Sequence, residues 1–402
     1  MKVSLADIQA AQAELSRHLT PTPLLRNPWL SEAFGCEVLL KLENMHPIGS
    51  FKIRGATYKI SQLSAEDRAK GVIAASAGNH AQGVAWGSRL LGVDALIVMP
   101  KNAPLMKVQN TKALGAKVKL EGDSFDEAVA KAREIAKETG RVFVHAFEDE
   151  HVIAGQGTTG LEIMDQCPDA DYVVCSIGGG GLLAGIAIAM RELGSKAHLI
   201  GCQASGSPSM VRSFAEGKAV TLERADTFAD GIAVKAASPQ LLALLKPRLD
   251  RVLEADDEAI AAAILMLMEK AKVVAEAAAG VPLAVLDAIQ DEIKGKKVVL
   301  VIGGGNIDVN VLARVIDRGL IRAGRRLRVN VLISDKTGSL WKLTELIAKE
   351  GANVIQAIHD RSEPSTRIDQ TEVNLTLETR GPEHSDKLIA ALRAHVLRLE
   401  LA

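Results

Sequence analysis

Between residues 72 and 302 the chain repeats one rhythm: a short run of β-branched and other apolar residues, then a stretch with helical spacing, then another such run. The runs fall at 72–75, 95–99, 117–120, 142–145, 172–177, 198–203 and 297–302. The helical stretch Phe125–Thr139 shows the complementary pattern. Phe125, Ala128, Val129, Ala132, Ile135 and Ala136 share one face, Asp123 or Ser124 stands where a cap is needed, and Gly140 ends it. Strand, helix, strand in this order restricts the chain to an α/β fold of parallel sheets with helices on both faces. Ligands of such sheets bind where strand C-termini meet helix N-termini, so the chemistry is sought there.

At 402 residues the chain exceeds what one hydrophobic core spans. The rhythm changes after Asn306. A helix runs towards Gly324, and the basic residues Arg325 and Arg326 read as a helix terminus and linker. Residues 327–334 then alternate as a strand, 339–350 are helical, 353–360 and 372–378 are strands, 382–395 are helical with Pro382 in the first turn, and 396–401 close the set. This β-α-β-β-α-β order is the ferredoxin-like arrangement. The expected organisation is a two-lobed α/β domain over 1–322, a linker at 323–326 and a small domain over 327–402. Within the first, a smaller lobe at roughly 45–147 is inserted in the larger one.

Several classes are excluded early. Lys plus Arg is 48 against Asp plus Glu at 49, which leaves no basic excess for nucleic acid, and 3% aromatic residues leave no stacking platform for single strands. No stretch approaches the ~20 apolar residues of a membrane span. The first residues, MKVSLADIQAAQAELSRHL, spell an amphipathic helix rather than a signal peptide, so a cytoplasmic protein is expected. Cys36, Cys167, Cys175 and Cys202 form no C-x-x-C pair, and no metal site is expected from them.

The strongest chemical signal is Gly178-Gly179-Gly180-Gly181-Leu182, between the apolar run YVVCSI and the helical stretch LLAGIAIAMREL. Four residues without Cβ let main-chain N–H groups close around a phosphate, and a helix N-terminus favours its charge. A dinucleotide site would want an acidic residue at the end of the next strand; that strand, HLIGCQ, ends on Gln203, which argues against a nicotinamide cofactor. Gly303-Gly304-Gly305-Asn306 makes a second glycine turn after KVVLVI, either a further part of a ligand site or close helix–sheet packing.

Lys52 lies in SFKIRGA, with Ser50 as a candidate helix cap and Arg54 as a nearby cation. A lone lysine is ordinarily a solvated surface group. One that is buried beside another cation loses proton affinity and becomes a nucleophile towards aldehydes. Ser76-Ala77-Gly78-Asn79-His80, ahead of the helix AQGVAWGSRLL, offers side chains and N–H groups to a carboxylate. On their own, Asn79 and His80 would be ordinary cap residues.

Taken in order, SFKIRGA, SAGNHAQG, GTTGLEI, SIGGGGL, VVAEAAAG and GGGNID resemble the pyridoxal-phosphate enzymes of the tryptophan-synthase β-like fold (fold type II). Within them, the resemblance is to the threonine dehydratase (threonine ammonia-lyase) and serine racemase branch, and it spans residues 1 to about 322. In the tail, Asp335-Lys336-Thr337-Gly338-Ser339-Leu340 resembles the turn of ACT domains, which bind amino acids and regulate metabolic enzymes. Asp335, Gly338 and Leu340 are therefore the candidate regulatory residues.

The resemblance implies pyridoxal 5′-phosphate (PLP) carried covalently on Lys52, which would also take the substrate Cα proton. It places Phe51 near the cofactor ring, Asn79 on its phenolic oxygen, and Gly178, Gly179, Gly180, Gly181 and Leu182 around its phosphate. Ser76, Asn79 and His80 would hold the substrate carboxylate, helped by a turn at Gly155–Gly157. Glu276 would lie near the ring, either in the chemistry or simply satisfying neighbouring donors. Gly303 departs from the pattern. Relatives place Ser, Thr or Cys there to contact the pyridine nitrogen, so here water or backbone takes that place or the nitrogen goes unpaired, and the electron sink is weaker.

Ile53 stands where threonine synthases carry Asp. Serine racemases carry a serine at the position of Ala77 as the second acid/base, and their metal ligands fall on Gln203 and Ser209, neither a carboxylate. The resemblance thus implies elimination, with L-threonine as substrate and L-serine accepted. The alternatives are a serine dehydratase or racemase-like enzyme and a non-catalytic amino-acid sensor, the latter leaving Lys52 and the glycine run unexplained. A homodimer or homotetramer is expected, with an amino acid such as isoleucine or valine bound between paired tails; the plainer alternative for the tail is an assembly module without a ligand.

Overall fold

The apolar runs become strands close to where the spacing puts them: Val72–Ala75, Ala95–Met99, Lys117–Leu120, Tyr172–Ser176, His198–Ala204 and Lys297–Ile302, with 142–145 shortened to Val142–Phe143. The computed structural model describes residues 1–361 and 367–401. They form two compact units, Met1–Ile307 and Asp308–Ala402.

The first unit holds two sheets. The smaller runs in the order Lys117–Leu120, Ala95–Met99, Val72–Ala75, Val142–Phe143, all parallel. Its central strand Val72–Ala75 buries both faces, whereas the edge strand Lys117–Leu120 is largely exposed. Val72 and Ala74 pack with Val84 and Ala85 of the helix Asn79–Leu91, while Ile73 and Ala75 pack with Ala128, Ala132 and Ile135 of Phe125–Thr139. The larger sheet runs Leu24–Arg26, Glu37–Leu42, Lys297–Ile302, Tyr172–Ser176, His198–Ala204, Arg251–Ala255, parallel except for the antiparallel edge strand Leu24–Arg26. Both glycine turns therefore leave the C-terminal ends of adjacent central strands.

Three strands of the larger sheet lie outside the sequence expectation: Leu24–Arg26, Glu37–Leu42 and Arg251–Ala255. Two are edge strands, half exposed and mixed in polarity. Glu37–Leu42 carries Lys41, which reads as a surface residue but is fully buried, with its ammonium on Glu162 at 2.5 Å.

In the second unit, Arg326–Ser334, Ser339–Lys349, Asn353–Asp360, Gln370–Glu378, Pro382–Arg393 and Arg398–Leu401 follow one another as β-α-β-β-α-β. The sheet order is Asn353–Asp360, Gln370–Glu378, Arg326–Ser334, Arg398–Leu401, antiparallel throughout, as a ferredoxin-like domain requires. Leu327, Val329, Val331 and Ile333 alternate inward onto Leu343, Ile347, Leu388 and Leu392. The division between units falls at Ile307/Asp308, earlier than the expected one at 322. The helix Val309–Arg322 belongs with the second unit because Asp317 pairs with Arg326 and Arg328 of its first strand, so 323–326 is not a free linker. No helix among the described residues is long and apolar enough to cross a membrane.

Candidate active site

Lys52 is the first residue of the helix Lys52–Ser61, whose N-cap is Phe51. Ser50 does not cap it. Ser50 is buried and bridged to Gly304, and its hydroxyl has no hydrogen-bond partner among the described residues. The Lys52 ammonium donates to the Ala146 carbonyl at 2.9 Å and stands 5.1 Å from the Phe51 ring centroid. Burial pushes its pKa down to about 8, with Glu276 pulling the other way. Arg54 is not among the causes, contrary to the expectation from its position. Its guanidinium turns into the protein, with Nε and Nη2 on Glu43 at 2.7 and 2.8 Å and Nη1 and Nη2 on Glu162 at 2.6 and 2.9 Å. Arg54, Lys41, Glu43 and Glu162 neutralise one another, so the lysine is activated by desolvation.

The glycine loop leaves the strand Tyr172–Ser176 and opens the helix Gly181–Glu192. Gly180 is the N-cap at φ +98°, a left-handed conformation that glycine adopts without strain, and no side chain caps the helix. A Cβ on Gly179 would stand 2.2 Å from the Phe147 ring, so glycine is required there by contact. An uncapped helix start in a loop without side chains leaves main-chain N–H groups free of side-chain acceptors, the arrangement that suits an anion.

The segment 145–148 brings lysine and loop together. Ala146 takes the ammonium and Phe147 lies against Gly179. His145 folds the turn by accepting the Phe147 and Glu148 N–H groups on Nδ1 at 3.3 and 2.8 Å, and Glu148 accepts from Ser238 Oγ at 2.5 Å. Sequence reasoning missed His145 and Phe147. Residue 145 reads as the last of the apolar run 142–145, whereas the strand stops at Phe143 and leaves His145 and Phe147 in the segment that follows its end.

Ser76-Ala77-Gly78 joins Val72–Ala75 to Asn79–Leu91, a second helix that starts without a side-chain cap. Ser76 Oγ accepts from the Gly78 N–H at 3.1 Å. Asn79 Nδ2 donates to both oxygens of Glu276 at 2.9 Å, and Asn79 Oδ1 accepts from Asn306 at 2.8 Å. Glu276 is buried, and burial raises its pKa to about 7 against the Asn79 hydrogen bond. His80 differs from expectation. Burial first, then Lys52, push its pKa down to about 3, and its Nε2 lies 2.9 Å from the Val144 carbonyl. The imidazole is thus neutral and donates to that carbonyl, so His80 has only its main-chain N–H to offer a carboxylate.

Residues 15–304 match the family model for the pyridoxal-phosphate dependent enzymes. The chain belongs to that family. An L-threonine ammonia-lyase of Thermotoga maritima is 46% identical over 393 residues, covering 98% of each chain. Among solved structures, the processed form of threonine deaminase isoform 2 from Solanum lycopersicum superposes with a TM-score of 0.76 at 36% identity, over 79% of this chain and 87% of that one. Maize serine racemase superposes with a TM-score of 0.75 at 30% identity, over 80% of this chain and 99% of that one.

The residues present fit the cofactor of this family. The Lys52 amine is buried without a carboxylate in hydrogen-bond contact, as an aldehyde-binding lysine must be, and the uncapped glycine helix suits a phosphate. Gly155 does not fit its expected part. It lies inside the helix Glu150–Gln166, not in a turn, and a Cβ there would stand 2.7 Å from Gly55 Cα. Its role is close packing against the lysine helix, as Gly157 packs against Gly185. Gln203 and Ser209 are committed to the backbone: Gln203 Nε2 donates to Ile177 at 3.1 Å, its Oε1 accepts from Met210 and Val211 at 2.7 and 3.0 Å, and Ser209 Oγ donates to Val234 at 2.9 Å.

At Gly303 the carbonyl accepts the Phe51 N–H at 3.0 Å, and a Cβ would meet only the Phe51 ring, at 3.4 Å. A serine fits there. Gly303→Ser is expected to change unfolding stability by about 0.5 kcal/mol at most while shifting the visible absorption of bound PLP. An unchanged spectrum would place the pyridine nitrogen away from this residue.

Proposed function

We propose that this protein is an L-threonine ammonia-lyase, converting L-threonine to 2-oxobutanoate and ammonia and accepting L-serine, which gives pyruvate. The single observation that carries this reading is the Lys52 amine, lowered to a pKa of about 8 and held on Ala146, next to Phe147 on the glycine loop. Bound PLP supplies an electron sink for the pair left behind when the Cα proton departs. Lys52 anchors the cofactor, and its Nζ, when free and neutral, takes that proton. The Ala146 carbonyl then holds the resulting ammonium. The N–H groups at the start of Asn79–Leu91, with Ser76 and Asn79, orient the substrate through its carboxylate. The β-hydroxyl leaves as water, taking up a proton equal to the one Lys52 has accepted. A water is consumed again when the released enamine, as its imine tautomer, hydrolyses to 2-oxobutanoate and ammonia. Ala77 supports elimination over racemisation, because a methyl group cannot return a proton where the resembling racemases carry a serine. The test is a spectrum of the purified protein before and after L-threonine, with 2-oxobutanoate and ammonia measured together. Equal amounts of both are expected; conversion of L-serine mainly to D-serine would overturn the assignment in favour of a racemase.

The second unit is proposed to act as an ACT domain, binding an amino-acid effector such as isoleucine or valine between paired copies of the chain in a homodimer or homotetramer. Three features support this. Asp335 pairs with the exposed Arg361 at 3.1 Å, Gly338 starts the helix Ser339–Lys349 at φ +88° with open space where a Cβ would be, and Leu340 packs on the unit's own core. Gly338→Val strains that turn and fills the space. It is expected to raise the half-maximal effector concentration about tenfold; an unaltered response would count against 335–340 as the site. The four cysteines are free and buried, which suits the reducing cytoplasm as the proposed location.

A further inference from the structure

An asparagine amide has two ends of opposite hydrogen-bonding character and nearly equal shape, so its surroundings decide which way round it sits. For Asn79 both ends are specified. Nδ2 lies 2.9 Å from each oxygen of Glu276, and Oδ1 accepts from Asn306 Nδ2 at 2.8 Å. Asn306 is fixed in turn, because the same Nδ2 donates to the Ile48 carbonyl at 2.7 Å, an acceptor that cannot change roles. A main-chain carbonyl at one end of this chain of groups and a carboxylate at the other demand the same direction of donation.

The main chain seats both outer members. The Glu276 N–H donates to the Gly304 carbonyl at 3.0 Å, and its Oε1 stands 2.4 Å from where a Cβ on Gly304 would be. Asn306 Oδ1 likewise stands 2.5 Å from a Cβ position on Gly49, whose φ is +70°. Both glycines leave room for these side chains and for nothing larger. Glu276 makes no ion pair at hydrogen-bond distance among the described residues, an unfavourable setting for a buried carboxylate. The two oxygens of one carboxylate subtend a much narrower angle at nitrogen than the two N–H bonds of an amide do. Glu276 therefore takes one Asn79 N–H and leaves the other.

We infer that Glu276 and Asn306 are positioning residues that hold Asn79 in one flip state, so that its remaining N–H is presented to the anionic phenolic oxygen of PLP. This rests on Lys52 being the anchor of the cofactor.

The test titrates the full-length apo-protein with PLP, reading the dissociation constant and the pH midpoint of the visible band, for wild type, Glu276→Ala, Glu276→Gln and Asn306→Ala. Glu276→Ala and Asn306→Ala are expected to weaken PLP binding about tenfold and to move the midpoint. Glu276→Gln keeps a carbonyl oxygen that accepts the same N–H, and stays within about threefold of wild type. Equal losses in Glu276→Gln and Glu276→Ala would overturn the inference, because charge and not orientation would then be what matters. Wild-type affinity and midpoint in Glu276→Ala would overturn it too. Should Glu276→Ala fail to fold, the contrast between Glu276→Gln and Asn306→Ala decides, and equality of those two counts against the inference. A wild-type protein with no visible band that Lys52→Ala removes would overturn both this inference and the site reading, whereas the other outcomes leave the latter standing.

Discussion

Lys52→Ala is expected to lower 2-oxobutanoate release from L-threonine by about three orders of magnitude or more, because it removes the cofactor anchor and the base together. Neither of two titratable residues of the site is placed to substitute. Burial leaves His80 a very weak base, with its pKa pushed down to about 3 and its Nε2 turned to Val144, and Glu276 is occupied by Asn79. A folded variant that keeps a substantial part of wild-type turnover would take Lys52 out of the chemistry. Attachment of PLP to the wild-type apo-protein should also quicken as pH rises through about 8, where the amine loses its proton. The variant should remain folded. The native pKa of Lys52, about 8, lies below its ordinary 10.5, so the unfolded chain binds more protons between those values. The stability cost of the buried amine is therefore full below pH 8 and fades as pH rises towards 10.5, and Lys52→Ala relieves it most at neutral pH.

Arg54→Ala is expected to destabilise the first unit by about 3–5 kcal/mol, measured by denaturant unfolding. The reason is what it leaves behind: Glu43 and Glu162, both buried, with Lys41 as the one remaining strong cation of the cluster. Arg54→Lys should not restore the loss, since a single ammonium cannot meet two carboxylates as the guanidinium fork does. Burial pushes the Glu43 carboxyl up, but Arg54 and then His46 hold it well below the usual carboxylate range. A depressed carboxylate contributes stability above its ordinary pKa of 4.5 and loses it as pH falls through the native value. The gap between wild type and Arg54→Ala should therefore narrow under strongly acid conditions. A variant as stable as wild type at pH 7 would show that the cluster is not held by this residue.

The glycine loop and most of the parallel strands were legible because each leaves a local signature: consecutive residues without Cβ, and apolar runs at strand length. The ferredoxin-like tail was legible for the same reason, its strands alternating inward and outward. What stayed hidden depends on contacts between distant residues. Lys41 passes unremarked in the sequence, and Arg54 reads only as a neighbour of Lys52, because their partners, Glu43 and Glu162, come from separate elements. Arg54 seemed to activate Lys52 by nearness along the chain, whereas helix geometry points the two side chains into different surroundings. The resemblance puts Gly155 in a turn; its place inside a helix is set by the closeness of Gly55, on another helix. The unit boundary was misplaced because the pairing of Asp317 with Arg326 and Arg328 is invisible in hydropathy.

The meeting of three helices through Gly55, Gly155, Gly157 and Gly185 bears on how such a protein can diversify. A core lined with leucines absorbs an extra methyl by a change of rotamer; main chain lying on main chain has no such slack. The amine proposed to anchor the cofactor and the loop proposed to hold its phosphate are therefore mounted on one stiff chassis. A change of preferred amino acid would then have to be made in the pieces mounted on that frame, such as the turn 76–78, with the frame itself left alone.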